Sequence, residues 1–235
     1  MTPRRRTAVA ATLCGFTGNP IRRHRSKIER SIKLMRLFVA IELNSKVIAN
    51  LTELVRRLGP VAPVRWVHPQ HMHVTLKYVG DFPAAKLDRL VQALTHVSIP
   101  APLTVPLAGM GYFPDAENPR VIWAGCENTA GLRQLASNVD AALQPLGVAP
   151  EVRPYLPHLT LGRIVKDEPL DAMHDLIDDL PSREFGILNP DRFVLFESSM
   201  TTKGAVYRRI EEFPLMSAAA VDPLAAARPQ YVGGF

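Results

Sequence analysis

Two histidines of this 235-residue chain stand in the same short pattern, His73-Val74-Thr75 and His158-Leu159-Thr160. Side chains alternate faces along a strand, so each pattern places an imidazole and a hydroxyl on one face and aliphatic residues on the other. Such a strand can bury Val74 and Leu76, or Leu159 and Leu161, and offer His and Thr to a cleft. Histidine titrates near neutrality, so one copy can take a proton while the other gives one. The threonine hydroxyls can donate to non-bridging phosphate oxygens as charge builds on them. The set suits opening of a cyclic phosphodiester by water and requires no metal and no cofactor. The residues themselves do not say which ring is the acid and which the base. With 7 His and 12 Thr in 235 residues, chance gives less than one His-x-Thr triplet, so two in matched contexts call for a cause.

The elements around the motifs supply that cause. Residues 36–43 alternate and read as a strand, followed by a helix over 45–58 that Asn44 or Ser45 can cap. Strands are expected at 64–67 and 73–79, the latter ending at Gly80-Asp81, then a helix over 84–96 and strand from 103 towards Phe113. The order then begins again: strand 121–125, helix 130–146, strand 159–165, helix 170–180, and final strands at 193–198 and 205–211. The repeat has an offset of about 85 residues and carries the motif with it. The expectation is an α+β fold of two pseudo-symmetric lobes. Each is an antiparallel sheet with helices on its outer face, and the active-site cleft lies between them.

Charge separates the chain into unlike parts. Residues 1–34 carry nine Lys and Arg against one acid, a net +8, which leaves −2 for residues 35–235. A near-neutral body does not present the broad basic face that long duplexes require, so any nucleic acid is expected at one small pocket. Residues 1–34 read as a basic, disordered extension, with translation expected to start at Met35, and residues 216–235 as a flexible tail. The domain is then 35–215. No apolar run approaches a membrane span, and two cysteines, Cys14 and Cys126, make no disulfide framework or zinc motif; a reducing cytoplasm and a monomer are expected. His71-Met72-His73 lacks the further Asp and His of a metal hydrolase.

Four segments carry a resemblance: Arg36-Leu-Phe-Val-Ala-Ile-Glu-Leu43, Trp66-Val-His-Pro69 with His73-Val-Thr-Leu-Lys-Tyr-Val-Gly80, Arg120-Val-Ile-Trp-Ala-Gly125, and Pro157-His-Leu-Thr-Leu-Gly-Arg163. With them the chain resembles the 2H phosphoesterase superfamily, and within it the bacterial RNA 2',3'-cyclic phosphodiesterases, also called 2'-5' RNA ligases. The resemblance covers about 35–215. It implies a bilobal fold, no metal, RNA ends or nucleotides as substrates, hydrolysis to a 2'-phosphomonoester, and a weak reversible 2'-5' ligation. His73 and His158 are then the catalytic pair, and Thr75, Thr160 and Arg163 hold substrate. Arg163 faces away from His158 on a regular strand, unless a bulge at Gly162 redirects it. Lys77 shares the first motif's face, either to attract phosphate or as a solvated strand end, and Tyr155 and Phe113 are candidates to stack a base, with core packing the favoured reading of each. Rival readings are a non-catalytic module that holds RNA ends, and related enzymes acting on 2'-5' oligoadenylates or ADP-ribose cyclic phosphates. Removing residues 1–34 is expected to leave activity and melting temperature nearly unchanged; a large loss of either would show that the extension belongs to the domain.

Overall fold

The computed structural model describes residues 33–61, 64–99, 102–164, 170–202 and 204–215. The expected extension lies outside them apart from Lys33 and Leu34, and the tail over 216–235 lies outside them too. In chain order the strands and helices are β1 (Leu34–Glu42), α1 (Ser45–Leu58), β2 (Val64–Trp66), β3 (His73–Pro83), α2 (Leu87–Thr95), β4 (Val105–Phe113), β5 (Val121–Cys126), α3 (Ala130–Leu143), β6 (His158–Ile164), α4 (Asp171–Asp178), β7 (Glu184–Leu188), β8 (Arg192–Thr201) and β9 (Gly204–Pro214). None of the described helices is long and apolar enough to cross a membrane.

The class is α+β, as expected, but the strands form one nine-stranded sheet in place of two. Its order is β7-β4-β5-β6-β3-β1-β8-β9, with β2 paired to β6, and every pairing is antiparallel. The order is symmetric about the β6–β3 junction, and the repeat explains why. β1 and β5 correspond, as do β3 and β6. The strand that follows each repeat crosses over: β4, after the first, pairs with β5, and β8, after the second, pairs with β1. Each half of the sheet is therefore completed by a strand from the other half of the sequence.

One face of the sheet is dry. Leu37, Val39 and Ile41 of β1 pack with Val74 and Leu76 of β3, Leu159 and Leu161 of β6, Leu51 and Leu58 of α1, and Leu135 and Val139 of α3 in one core. Each fully buried aliphatic of this kind stabilises by about 1.5–3 kcal/mol. Asn44 caps α1, its Oδ1 accepting from the Val47 amide at 2.9 Å, while its Nδ2 donates to the Ile187 carbonyl at 2.8 Å and holds the helix to β7. The other face carries a small apolar patch of Phe38, Ala40, Val194 and Phe196, with Tyr207 against it.

Two irregularities decide which side chains reach that second face. Along β3, Val39 pairs with Lys77 but Ala40 with Thr75, so Leu76 is the extra residue of a bulge. Along β6, Ile122 pairs with Gly162 but Trp123 with Thr160, so Leu161 is the extra residue. Each bulge inverts the alternation beyond it. β3 also runs past the expected stop: Gly80 adopts φ +80° inside the ladder, and pairing continues to Pro83. At Gly162 an added Cβ would lie 2.5 Å from Val64 Cγ1 and 3.1 Å from the Arg65 carbonyl oxygen. Gly162→Ala is expected to lower unfolding free energy by about 1–3 kcal/mol in a denaturant titration. Wild-type stability in that variant would contradict the close approach of β2 to β6.

Candidate active site

β3 and β6 share one ladder pair, Val74 with Leu159. About that pair the antiparallel sense sets His73 beside Thr160, and Thr75 beside His158. Same-face neighbours across antiparallel strands have Cβ atoms about 4.5–5.5 Å apart, and diagonal ones about 7–8 Å. The two imidazoles thus lie on a diagonal across the junction. His73, Thr75, His158, Thr160 and Arg163 all line one cavity of about 250 Å³.

Both rings are held in the same way. His73 Nδ1 lies 2.9 Å from the carbonyl oxygen of His71, and His158 Nδ1 lies 2.8 Å from that of Leu156. A carbonyl only accepts, so Nδ1 carries the proton and donates in each ring. The neutral form of each then has its lone pair on Nε2, the atom left for chemistry. An aromatic wall backs each ring. Phe38 stacks on His73 at 4.8 Å between centroids, and Tyr207 meets it edge-on at 5.3 Å. Phe113 meets His158 edge-on at 4.9 Å, and Trp123 lies 6.3 Å away. Phe38 and Trp123 occupy corresponding positions of the repeat. Burial pushes the His73 pKa below the ordinary imidazole value, and the nearby His71 and His158 charges add to this, against the opposing bond to the His71 carbonyl. Tyr207 is shifted up by burial, with Arg163 acting against it.

The Leu161 bulge brings Arg163 to the same face as His158, pairing it with Val121 and not with a core position. Among the described residues Arg163 makes no ion pair, and it is exposed. Lys77 is a correction. The Leu76 bulge turns it to the helix face, where it is 5% exposed and bound to Asp140 of α3. Tyr155 packs against the core, the reading favoured for it over stacking: its hydroxyl donates to the Thr75 carbonyl at 2.8 Å, and burial pushes its pKa up. Phe113 is spent on Trp123 and His158. The pocket instead presents Tyr78, 56% exposed, along with Ser198 and Tyr207. Tyr78 follows His73 by five residues as Arg163 follows His158, so the repeat marked it. Ser198 and Tyr207 arrive on the β8–β9 hairpin from more than 120 residues beyond His73, without a local signal.

Among the described residues no group of three or more His, Cys, Asp or Glu is placed to hold a metal ion, and His71 lies in the turn before β3. Burial pushes the Cys126 thiol up to about 12, so it is no nucleophile at neutral pH. His68 and His96 are exposed, His174 packs on Tyr112, and His24 lies outside the described residues.

A family model for LigT like Phosphoesterase matches residues 41–123 and again 126–207, two runs whose starts are 85 residues apart. The chain belongs to the LigT-like phosphoesterase family. Relatives of this LigT-like chain include a protein of Archaeoglobus fulgidus named RNA 2',3'-cyclic phosphodiesterase, 31% identical over 179 residues, which are 76% of this chain and 99% of that protein. A protein of the same name from Aquifex aeolicus is 30% identical over 188 residues, covering 78% and 99% of the two chains. The solved structure of TT0787 of Thermus thermophilus matches with a TM-score of 0.65 at 32% identity, over 77% of this chain and 98% of that one. E. coli LigT, solved with 3'-AMP, shares the fold at a TM-score of 0.65 and 24% identity, over 78% and 99%.

Long-range ¹H–¹⁵N spectra of this LigT-like phosphoesterase are expected to show both rings protonated at Nδ1 when neutral, with His73 titrating below 6.5. A neutral Nε2–H tautomer in either ring would contradict the anchoring.

Proposed function

We propose that the protein hydrolyses RNA ends bearing a 2',3'-cyclic phosphate to 2'-phosphomonoesters, by metal-independent acid–base catalysis between His73 and His158. The observation that carries this reading is the pair of imidazoles, each fixed at Nδ1 by a carbonyl, lining one cavity with two threonines. The name shared by the relatives from Archaeoglobus and Aquifex supports the substrate class.

A neutral ring accepts a proton from water at Nε2 as the water oxygen attacks phosphorus. The P–O3' bond breaks, and Nε2 of the other, protonated ring delivers a proton to O3'. The products are a 2'-phosphomonoester and a free 3'-hydroxyl. His73 suits the first role, since burial favours its neutral form; His158 then serves as the acid. Thr75 and Thr160 donate to the non-bridging oxygens, and Arg163 adds a positive charge beside them. Tyr78 offers a ring face to the terminal base. A ribose 5'-hydroxyl in place of water gives a 2'-5' linkage by the same steps, so the proposal extends to reversible 2'-5' ligation.

His73→Ala and His158→Ala are each expected to lower kcat by about 10²–10⁴-fold on a nucleoside 2',3'-cyclic phosphate with EDTA present, while the fold persists. Thr75→Ala and Thr160→Ala are expected to cost less. The product is checked by mass and by ³¹P assignment of the 2' or 3' position. Substantial activity in either histidine variant would refute the paired scheme, and absence of turnover in the wild type would favour a binding module.

The pH profile follows from the sign of the His73 shift. A base with a depressed pKa stays neutral to lower pH, so kcat/KM is expected to fall with acid through a value below 6.5. An acidic limb above that value would remove His73 from the role of base.

A further inference from the structure

The backbone alone joins the two motif strands thinly, since Val74 and Leu159 are their one shared ladder pair. Two side-chain links cross the same junction. Tyr155, three residues before His158, donates its hydroxyl to the Thr75 carbonyl at 2.8 Å. Lys77, two residues after Thr75, sends Nζ to the Ala149 carbonyl at 2.7 Å and to Asp140 Oδ1 at 2.5 Å. Asp140 in turn accepts from the Glu151 amide at 3.2 Å and from Gln144 Nε2 at 2.8 Å. The strand carrying His73 is thereby tied, at Thr75 and again at Lys77, to the segment that leads into His158, and that segment is tied to α3.

We propose that Tyr155 and the pair of buried Lys77 with half-buried Asp140 form a cross-brace that sets the spacing of His73 and His158, so that these three are positioning residues for the reaction. The proposal rests on the acid–base reading above.

Three features support it. First, one link meets the backbone of the first motif itself, at the Thr75 carbonyl, and the other starts two residues beyond it, at the Lys77 side chain. Second, burying the Lys77 ammonium makes the pair a poor source of net stability, because desolvation offsets its attraction to Asp140. A pair at this junction is better explained by what it positions. Third, the brace is one-sided. The repeat partners of Lys77 and Tyr155 are Gly162 and Gln70, and neither makes an equivalent link: Gly162 has no side chain and Gln70 is exposed. The second half of the molecule therefore holds the first. Two groups that must reach one phosphorus are sensitive to such placement, since a shift of about 1 Å can cost 10²-fold in rate.

Tyr155→Phe removes one hydroxyl and keeps the ring. Lys77→Met with Asp140→Asn removes the charges and keeps an acceptor for the Glu151 amide. Each variant is expected to lower kcat on a nucleoside 2',3'-cyclic phosphate about tenfold while KM stays within twofold. Inorganic phosphate, titrated into wild type and variants, is followed through the ring ¹⁵N signals of both histidines. In the wild type both rings should respond with one dissociation constant; in the variants that constant should weaken several-fold. Variant kcat values within twofold of wild type, or phosphate titrations unchanged in both variants, would overturn the brace. Activity that returns fully on cooling, in step with the folded fraction, would also overturn it, by showing a purely structural role. A wild type that binds phosphate between both rings but turns over no cyclic phosphate would sink the functional reading alone, and the variant titrations would still decide the brace.

Discussion

The junction at which β3 meets β6 is the constraint on which the rest of the molecule depends. One ladder pair there, Val74 with Leu159, brings together two strands from different halves of the sequence. The register at that pair fixes which hydroxyl stands beside which imidazole. A slip of one residue in either strand would send that strand's histidine and threonine into the aliphatic core and its buried aliphatic, Val74 or Leu159, into the cavity. That alternative is costly, because Val74 and Leu159 are fully buried under the helices. Burial on one face thus specifies the chemistry on the other.

The bulges add what alternation cannot supply. On regular strands Lys77 would sit with His73, and Arg163 would sit away from His158. The extra residues Leu76 and Leu161 exchange these outcomes. One cation moves to the helix side, where Asp140 pairs with it. That carboxyl feels burial pushing its pKa up, yet the hydrogen bonds from Lys77 and Gln144 and the Lys77 charge hold it below the ordinary range. Its share of stability is therefore present above the unfolded carboxylate value and is lost only as pH falls through the lower folded value. The other cation joins the cavity. Corresponding bulges in the two halves have unlike consequences because Lys77 and Gly162, and Tyr78 and Arg163, differ in chemistry.

Much of this is legible in the residues. The two motifs, the offset of about 85, and most strands and helices follow from periodicity and repetition, since each depends on neighbours close in sequence. What escapes depends on distant partners. The edge strand β7 is short, carries Gly186, and is held by Asn44, the cap of α1, and Asn50 within it, so its own residues hardly announce it. The joining of two expected sheets into one rests on the pairing of β3 with β6, and the completion of each half on the crossover of β4 and β8, neither of which a local pattern records. Strand alternation carried through a bulge puts Lys77 on the wrong face, and a tyrosine near a histidine reads the same whether its hydroxyl is free or, as in Tyr155, bonded. The chemistry of the site lies in residue types; its wiring lies in register.

A crystal structure with a nucleoside–vanadate complex, which mimics five-coordinate phosphorus, tests the pairing of the two histidines most directly. Nε2 of His73 and Nε2 of His158 are each expected about 2.6–3.2 Å from a different oxygen of one vanadium centre, with both Nδ1 atoms still donating to the carbonyls of His71 and Leu156. A vanadate that touches only one of the rings, or settles in another pocket, would contradict it.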